Sequence, residues 1–280
     1  MPSPVVVLTI AGSDSSGGAG IQADIKTISA LGGYAASAIT ALTAQNTTGV
    51  RAIHAPDAHF LAQQIDAVFE DLHVSGVKIG MLHNREVVQA VAGRLRQHDP
   101  AHVVLDPVMV ATSGAVLIDP QTVDSLVANL FPLASLITPN LDEAAFLLGQ
   151  PINNLDGMRA AAAALINLGA RAVLLKGGHL LDDDGSPSSK VVDLLMLTDL
   201  SQHLFEQPRV ATTNTHGTGC SLSAAISTFL ALGQTLPQAV GAAQAYVHAG
   251  LEAAKGITIG KGHGPINHFF QPVAMRIRPT

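Results

Sequence analysis

Short runs of Val, Ile and Leu alternate with longer stretches of helical period along most of this chain, and that alternation leaves few folds open. The runs Val5–Ile10, Ala35–Ala44, Val77–Ile79, His102–Leu105, Ser135–Thr138 and Ala172–Lys176 read as strands. Their apolar content suits strands buried on both faces. Between them, the stretch 58–72 places Leu61, Ile65, Val68, Phe69 and Leu72 on one helical face, and 84–98 repeats this with Val87, Val88, Val91 and Leu95. Strand followed by helix, over and over, predicts an α/β fold: a mostly parallel central sheet with helices on both faces.

The pattern changes late in the chain. Residues 181–190, with three consecutive Asp followed by Gly, Ser and Pro, read as an exposed turn. Val191–Leu197 and Gln202–Glu206 suit a hairpin or edge pair, and two Ala-rich helices follow at about Cys220–Leu232 and Thr235–Ala254. No linker and no internal repeat divides the 280 residues, so a single domain over 1–280 is expected. The 48% hydrophobic and 13% charged content supports a sizeable core and rules out global disorder. A net charge of −6 argues against a protein that coats nucleic acid. Cys220 is the single cysteine, which excludes an intrachain disulfide and a cysteine zinc site. The apolar run Val5–Ala11 is too short and wrongly flanked for a signal peptide or membrane span, so a soluble cytoplasmic protein is expected. The histidines show no metalloprotease spacing; His98 and His102 flank Asp-Pro-Ala and read as turn residues.

In open sheets of this kind, ligands bind beyond the carboxyl ends of the strands, and the chemically distinctive residues cluster there. Gly12-Ser-Asp-Ser-Ser-Gly-Gly-Ala-Gly20 follows the first strand and allows backbone to approach a small ligand, with Asp24 in the first helical turn. Gly18–Ala23 formally satisfies a dinucleotide fingerprint, but the second strand ends at Thr43-Ala-Gln45 without the acid that would hold a ribose. Gln45 offers an acceptor and a donor side by side, which suits an amino-substituted heterocycle. Asn140 and Glu143 share a helix face; they form either a capping motif or a pair near Mg²⁺. Lys176, before two glycines at a strand end, can meet a phosphate as a point charge. The strongest signal is Asn214-Thr-His-Gly-Thr-Gly-Cys220 ahead of a helix. There Gly217, Thr218 and Gly219 can converge their amides on an anion, and Cys220 would sit at a positive helix end that favours thiolate. No Walker A loop occurs.

Taken in order, these blocks resemble the hydroxymethylpyrimidine/phosphomethylpyrimidine kinases of thiamin synthesis, within the ribokinase-like superfamily. The resemblance spans nearly the whole chain. It runs through Thr9–Thr27, Thr40-Ala-Leu-Thr-Ala-Gln-Asn46, Lys78-Ile-Gly-Met-Leu82 and Leu105-Asp-Pro-Val108. It continues through Thr138-Pro-Asn-Leu-Asp-Glu143, Lys176-Gly-Gly-His179, Asn214–Cys220 and Gly262-His-Gly-Pro265. It implies a ribokinase-like fold and a kinase that uses ATP and Mg²⁺ to phosphorylate 4-amino-5-hydroxymethyl-2-methylpyrimidine and then its monophosphate.

Carried over by position, Asp24 and Gln45 match ring-binding residues, with Gly12, Ala19, Met81 and Val108 lining the pocket. Asn140 and Glu143 match the magnesium-associated pair, Asp106 an acid near the metal, Lys176 the phosphate lysine, and Gly217–Cys220 the anion hole. Cysteine at 220 marks the pyrimidine kinase branch, where sugar kinases carry an aspartate base. Ser221 departs from the Thr often found next to it, and the turn 182–189 carries no assigned role. A homodimer is the assembly the resemblance implies. The expected mechanism is in-line transfer, with Cys220 taking the hydroxyl proton or positioning the hydroxyl. The rival readings are a pyridoxal kinase, which takes a similar flat alcohol, and a binder that has lost its chemistry.

Overall fold

The computed structural model describes residues 3–109, 118–178, 180 and 188–277. Its strands are β1 (Val6–Asp14), β2 (Tyr34–Asn46), β3 (Gly49–His54), β4 (Val74–Ile79), β5 (Val103–Leu105), β6 (Leu136–Ile137), β7 (Ala172–Leu175), β8 (Lys190–Leu197) and β9 (Gln202–Pro208). They form one sheet in the order β3-β2-β1-β4-β5-β6-β7-β8-β9. The stretch from β2 to β7 is parallel throughout. An antiparallel β3 closes one edge, and the antiparallel pair β8 and β9 closes the other.

The helices are α1 (Gly20–Ala30), α2 (Ala58–Asp71), α3 (Arg85–His98), α4 (Pro120–Asn129), α5 (Leu141–Leu148), α6 (Leu155–Asn167), α7 (Thr218–Ala231) and α8 (Leu236–Glu252). Alternation along the strands sorts the core into two layers. Leu8, Ile10, Val77, Ile79, Val103 and Leu105 pack under α2 to α6. Val104, Leu136, Leu174 and Leu195 pack instead under α7 and α8, and Val5 and Val7 meet Ile28 and Ala224 on that same side. Helices therefore cover both faces, as the sequence pattern requires. Among the described residues, no helix is long and apolar enough to cross a membrane.

The expected strands are all present, and the late edge pair is β8 with β9. Strand β3 is not legible in advance: it lies at the sheet edge with Arg51, Ala52 and His54 exposed, so no buried alternation marks it. Helix α7 starts at Thr218, two positions before the expected Cys220. His98 is not a turn residue. It ends α3, its Nε2 lies 2.7 Å from Asp66 Oδ1, and its ring stacks on Phe69 at 4.5 Å between centroids. The turn at Asp99, in left-handed conformation, follows it.

Candidate active site

The parallel strands end along one edge, and polar residues line it. Thr9 on β1 registers with Lys78 on β4. Asp106 follows β5, Thr138 follows β6 and Lys176 follows β7. Asp106 Oδ1 accepts from Thr138 Oγ1 at 3.0 Å and from Lys176 Nζ at 2.9 Å. Burial disfavours the Asp106 charge, but Lys176 and then Lys78 outweigh it and hold the carboxyl below its usual range. The first turn of α7 stands directly above this pair. A Cβ added at Gly219 would lie 3.3 Å from Lys176 Nζ and 3.6 Å from Asp106 Oδ2. Sequence-predicted Lys176, Asp106 and Gly219 are thus brought together.

Gly217 caps α7 in left-handed conformation, φ 76°, with its missing Cβ replaced by the Gly18 carbonyl and Ala19. A side chain on Gly18 would likewise strike the His216 ring. The early and late glycine loops are therefore locked together, backbone against backbone. Asp14 organises the contact. Its Oδ1 accepts from the Ser16 amide and hydroxyl, both at 2.8 Å. Its Oδ2 accepts from the Gly18 amide at 3.0 Å, the Ala19 amide at 2.8 Å and His216 Nε2 at 2.9 Å. Burial would raise its pKa, yet the bonds from His216, Ser16 and Ala19 drive it far below the ordinary carboxylate range.

Gln45, one residue before the end of β2, lies beside this junction. Its Nε2 lies 3.5 Å from His216 Nε2, which already donates to Asp14 and so cannot accept. Its Oε1 lies 3.1 Å from Thr43 Oγ1, a hydroxyl that bonds the Ser13 carbonyl at 2.8 Å. Both ends of the amide are loosely held and available to a ring. A cavity of about 270 Å³ opens there, lined by Gln45, Asn46, Thr47, His216, Gly262 and His263 among others. Gly262 and His263 close its other side, held where the Lys261 and Gly262 amides donate to Thr47 Oγ1 and the His216 amide donates to the Gly264 carbonyl. Gly12 and Met81 adjoin one another: a Cβ at Gly12 would lie 3.7 Å from Met81 Sδ. Val108 is half-buried and packs with Met81 against a small cluster around Met109.

Asp24 corrects the expectation. It lies in α1 one turn past Gly20, not in the first turn, and it is completely buried. Its Oδ2 accepts from Thr9 Oγ1 at 2.6 Å and Lys78 Nζ at 2.8 Å, whereas Oδ1 has no partner among the described residues. Burial pushes the Asp24 pKa up and Lys78 pulls against it.

Cys220 brings a second correction. Its thiol is pushed up to about 11, not down. Burial is the main cause, and the Asp24 and Asp106 charges add to it; Lys78 and the Gly20 amide oppose it without prevailing. The helix start is positive as expected, but enclosure among carboxylates wins.

Asn140 and Glu143 form a complete capping box, the Glu143 amide donating to Asn140 Oδ1 and the Asn140 amide to Glu143 Oε2, each at 2.8 Å. Glu143 is nevertheless more than a cap. Burial pushes its pKa up to about 7, with Asp106 adding to the effect and Lys176 opposing it. Among the described residues, no group of three His, Cys, Asp or Glu forms a metal cage. Two neighbouring acids with the Asn140 side chain engaged in its cap fit a magnesium that keeps its waters and arrives on a nucleotide, not a protein-enclosed ion.

His179 and residues 182–187 of the turn lie outside the described residues; Ser188 and Ser189 bond Arg209. Asn214 is buried and donates to the Ala254 and Ile257 carbonyls, so its role is to fix the approach to α7. Sequence reasoning missed Asp14, Lys78 and His216. An Asp two positions before Ser in a glycine loop is an Asx-turn signal for the first. A lysine between Val77 and Ile79 in a strand covered on both faces is a signal for the second. Nothing local marks His216 as the partner of Asp14.

The family model described as phosphomethylpyrimidine kinase matches residues 14–267. The hydroxymethylpyrimidine/phosphomethylpyrimidine kinase of Rhizobium meliloti is 51% identical over 94% of this chain and 97% of its own. The thiamine biosynthesis bifunctional protein ThiED of Geobacter sulfurreducens is 50% identical over 97% of this chain, which spans 54% of that longer protein. Among solved structures, the pyridoxal kinase of Staphylococcus aureus in complex with AMP-PCP and pyridoxal aligns at TM-score 0.84 with 29% identity, covering 95% of this chain and 94% of that one. The fold is thus ribokinase-like, as expected. With the two glycine loops closing on one lysine-lined strand edge and the matches running nearly end to end, this chain belongs to the phosphomethylpyrimidine kinase family and is a kinase with ATP as its substrate.

Proposed function

We propose that the protein moves the γ-phosphate of ATP to the hydroxymethyl group of 4-amino-5-hydroxymethyl-2-methylpyrimidine, then phosphorylates the monophosphate to the diphosphate. One observation carries this reading above the others. Gly217 locks against Gly18 and Ala19 while Gly219 stands over Lys176 and Asp106, which sets the turn before α7 against both the early loop and the lysine at the strand edge. Gln45 reads the ring edge, and Asp24 offers Oδ1 to its amino group from beneath. Gly12, Ala19, Met81 and Val108 shape the walls. The amides of Gly217, Thr218 and Gly219, with Lys176, take the charge on the transferring phosphoryl oxygens.

Magnesium, when bound with the nucleotide, neutralises phosphate oxygens; Asp106 and Glu143 would hold it, largely through water, with Asn140 fixing Glu143. Cys220, whose thiol pKa is pushed up, orients the acceptor oxygen. In a loose transition state the acceptor proton leaves late, so a strong base is not required. The continuous sheet supports reading residues 1–280 as a single kinase domain. Homodimer formation enters this reading through the resemblance alone, and cytoplasmic location through the short, unflanked apolar run Val5–Ala11.

The fold likeness to a pyridoxal-bound kinase gives the rival reading a specific footing. Competing turnover separates the two: the aminopyrimidine alcohol and pyridoxal, mixed at equal concentration with ATP, should be consumed in a ratio of roughly ten or more in favour of the former. A ratio reversed toward pyridoxal would reassign the substrate.

A further inference from the structure

Lys78 belongs to a motif the resemblance includes and to which no role is assigned. It is among the largest fully buried side chains of the described residues. Alternation explains its direction. Val77 and Ile79 pack under α2 and α3, so Lys78 and Gly76 turn to the opposite face, where a Cβ on Gly76 would lie 3.1 Å from Ser227 of α7. The ammonium climbs to the strand end, and Gly80 leaves room for it: a Cβ there would lie 2.9 Å from Lys78 Nζ. A buried ammonium requires a counter-charge, and Asp24 of α1 supplies it at 2.8 Å. The same Asp24 oxygen also accepts from Thr9, which leaves Oδ1 buried and unpartnered among the described residues. A buried acceptor of this kind calls for a donor from a ligand.

We infer that Lys78 is a specificity-determining positioning residue: by holding Oδ2 of Asp24, together with Thr9, it leaves Oδ1 as a fixed acceptor that asks for an N–H donor on the bound ring. This rests on the reading that Asp24 meets the ring. An amino-substituted heterocycle satisfies the free oxygen, whereas a ring with an acceptor at that position sets two buried acceptors against each other. The charged and titratable groups facing Asp24 are Lys78 from β4, Asp106 after β5 and Cys220 from α7, with the Thr9 hydroxyl from β1. Burial raises the Asp24 pKa and outweighs Lys78, the strongest opposing charge, so the pairing rests on the 2.8 Å contact itself. Without Lys78 the carboxyl loses the partner that holds Oδ2, and either oxygen, or a proton on one of them, can then face the ring.

The test compares wild type, Lys78→Met and Lys78→Met/Asp24→Asn, the last keeping the floor neutral should the single variant fail to fold. Each is assayed with ATP and either the 4-amino alcohol or its 4-oxo analogue, with both KM values measured from about pH 6 to 9. Wild type should prefer the amino ring by about 100-fold or more in kcat/KM, and the double variant by less than about tenfold. The ATP KM should stay within about twofold throughout. Unchanged ring preference in the double variant, or ATP and ring KM rising together, overturns the inference. If wild type itself fails to phosphorylate the amino alcohol, the proposed function falls as well; wild-type turnover with unaltered variants sinks only the role given to Lys78.

Discussion

Replacing Asp14 by Ala should be among the most damaging single changes in the molecule, although Asp14 touches no substrate in this account. The carboxylate is buried, and it gathers the Ser16, Gly18 and Ala19 amides, the Ser16 hydroxyl and His216. Leaving the Gly18 and Ala19 amides unpaired costs about 1–3 kcal/mol each, and charge-assisted bonds run to about 1.5–3 kcal/mol apiece. These losses are not additive within one network, so about 4 kcal/mol is a reasonable total. At about 2–4 °C per kcal/mol, the midpoint should fall by about 10 °C or more. Asp14→Asn keeps one acceptor but turns a donor toward amides that also donate, so about half the loss should appear there.

The pH dependence gives an independent check. The folded pKa is depressed below the unfolded value of about 3.9, so this stability is full above pH 4 and drains as pH falls toward the folded pKa. Circular dichroism melts at pH 7 and across the acid range measure both effects. An Asp14→Ala protein within about 1 kcal/mol of wild type, or one with an unchanged acid limb, would refute the claim that Asp14 holds the two loops together.

Gly217→Ala should place a Cβ against the Gly18 carbonyl in a left-handed residue, combining about 1–2 kcal/mol of backbone strain with loss of the anion turn. Gly233→Ala, also left-handed but with open space around it, should show the strain alone and leave steady-state activity intact. Cys220→Ala should lower kcat by similar factors for the alcohol and the monophosphate; a loss confined to the alcohol step would return Cys220 to the role of base. His268 is buried, its Nε2 3.0 Å from Ser221 Oγ, and burial lowers its pKa to about 4. Its contribution is complete above the unfolded pKa of about 6.5 and fades as pH drops toward 4, by up to about 3 kcal/mol. His268→Gln should flatten that slope in denaturant titrations.

Layering was legible because alternation on buried strands and the helical period are both local signals. The glycine turn before α7 and Lys176 at the end of β7 were legible for the same reason: each is a residue type at a position whose backbone already demands it. Long-range pairing was not. Asp14 and His216 lie 202 residues apart, and only the tertiary fold brings them within bonding distance. Lys78 could have been flagged by its burial pattern, but its partner on α1 could not be named. The Cys220 error has a physical source: a helix start was visible, whereas the surrounding carboxylates and the degree of enclosure, which decide the sign, are sums over distant residues.

The most direct test is a crystal structure with the aminopyrimidine alcohol, Mg²⁺ and a non-hydrolysable ATP analogue bound together. The account expects the ring amino edge on Gln45 and Asp24, the hydroxymethyl oxygen beside Cys220 Sγ, and the terminal phosphate against the amides of Gly217–Cys220. A ring lodged elsewhere, with the terminal phosphate remote from the start of α7, would contradict it.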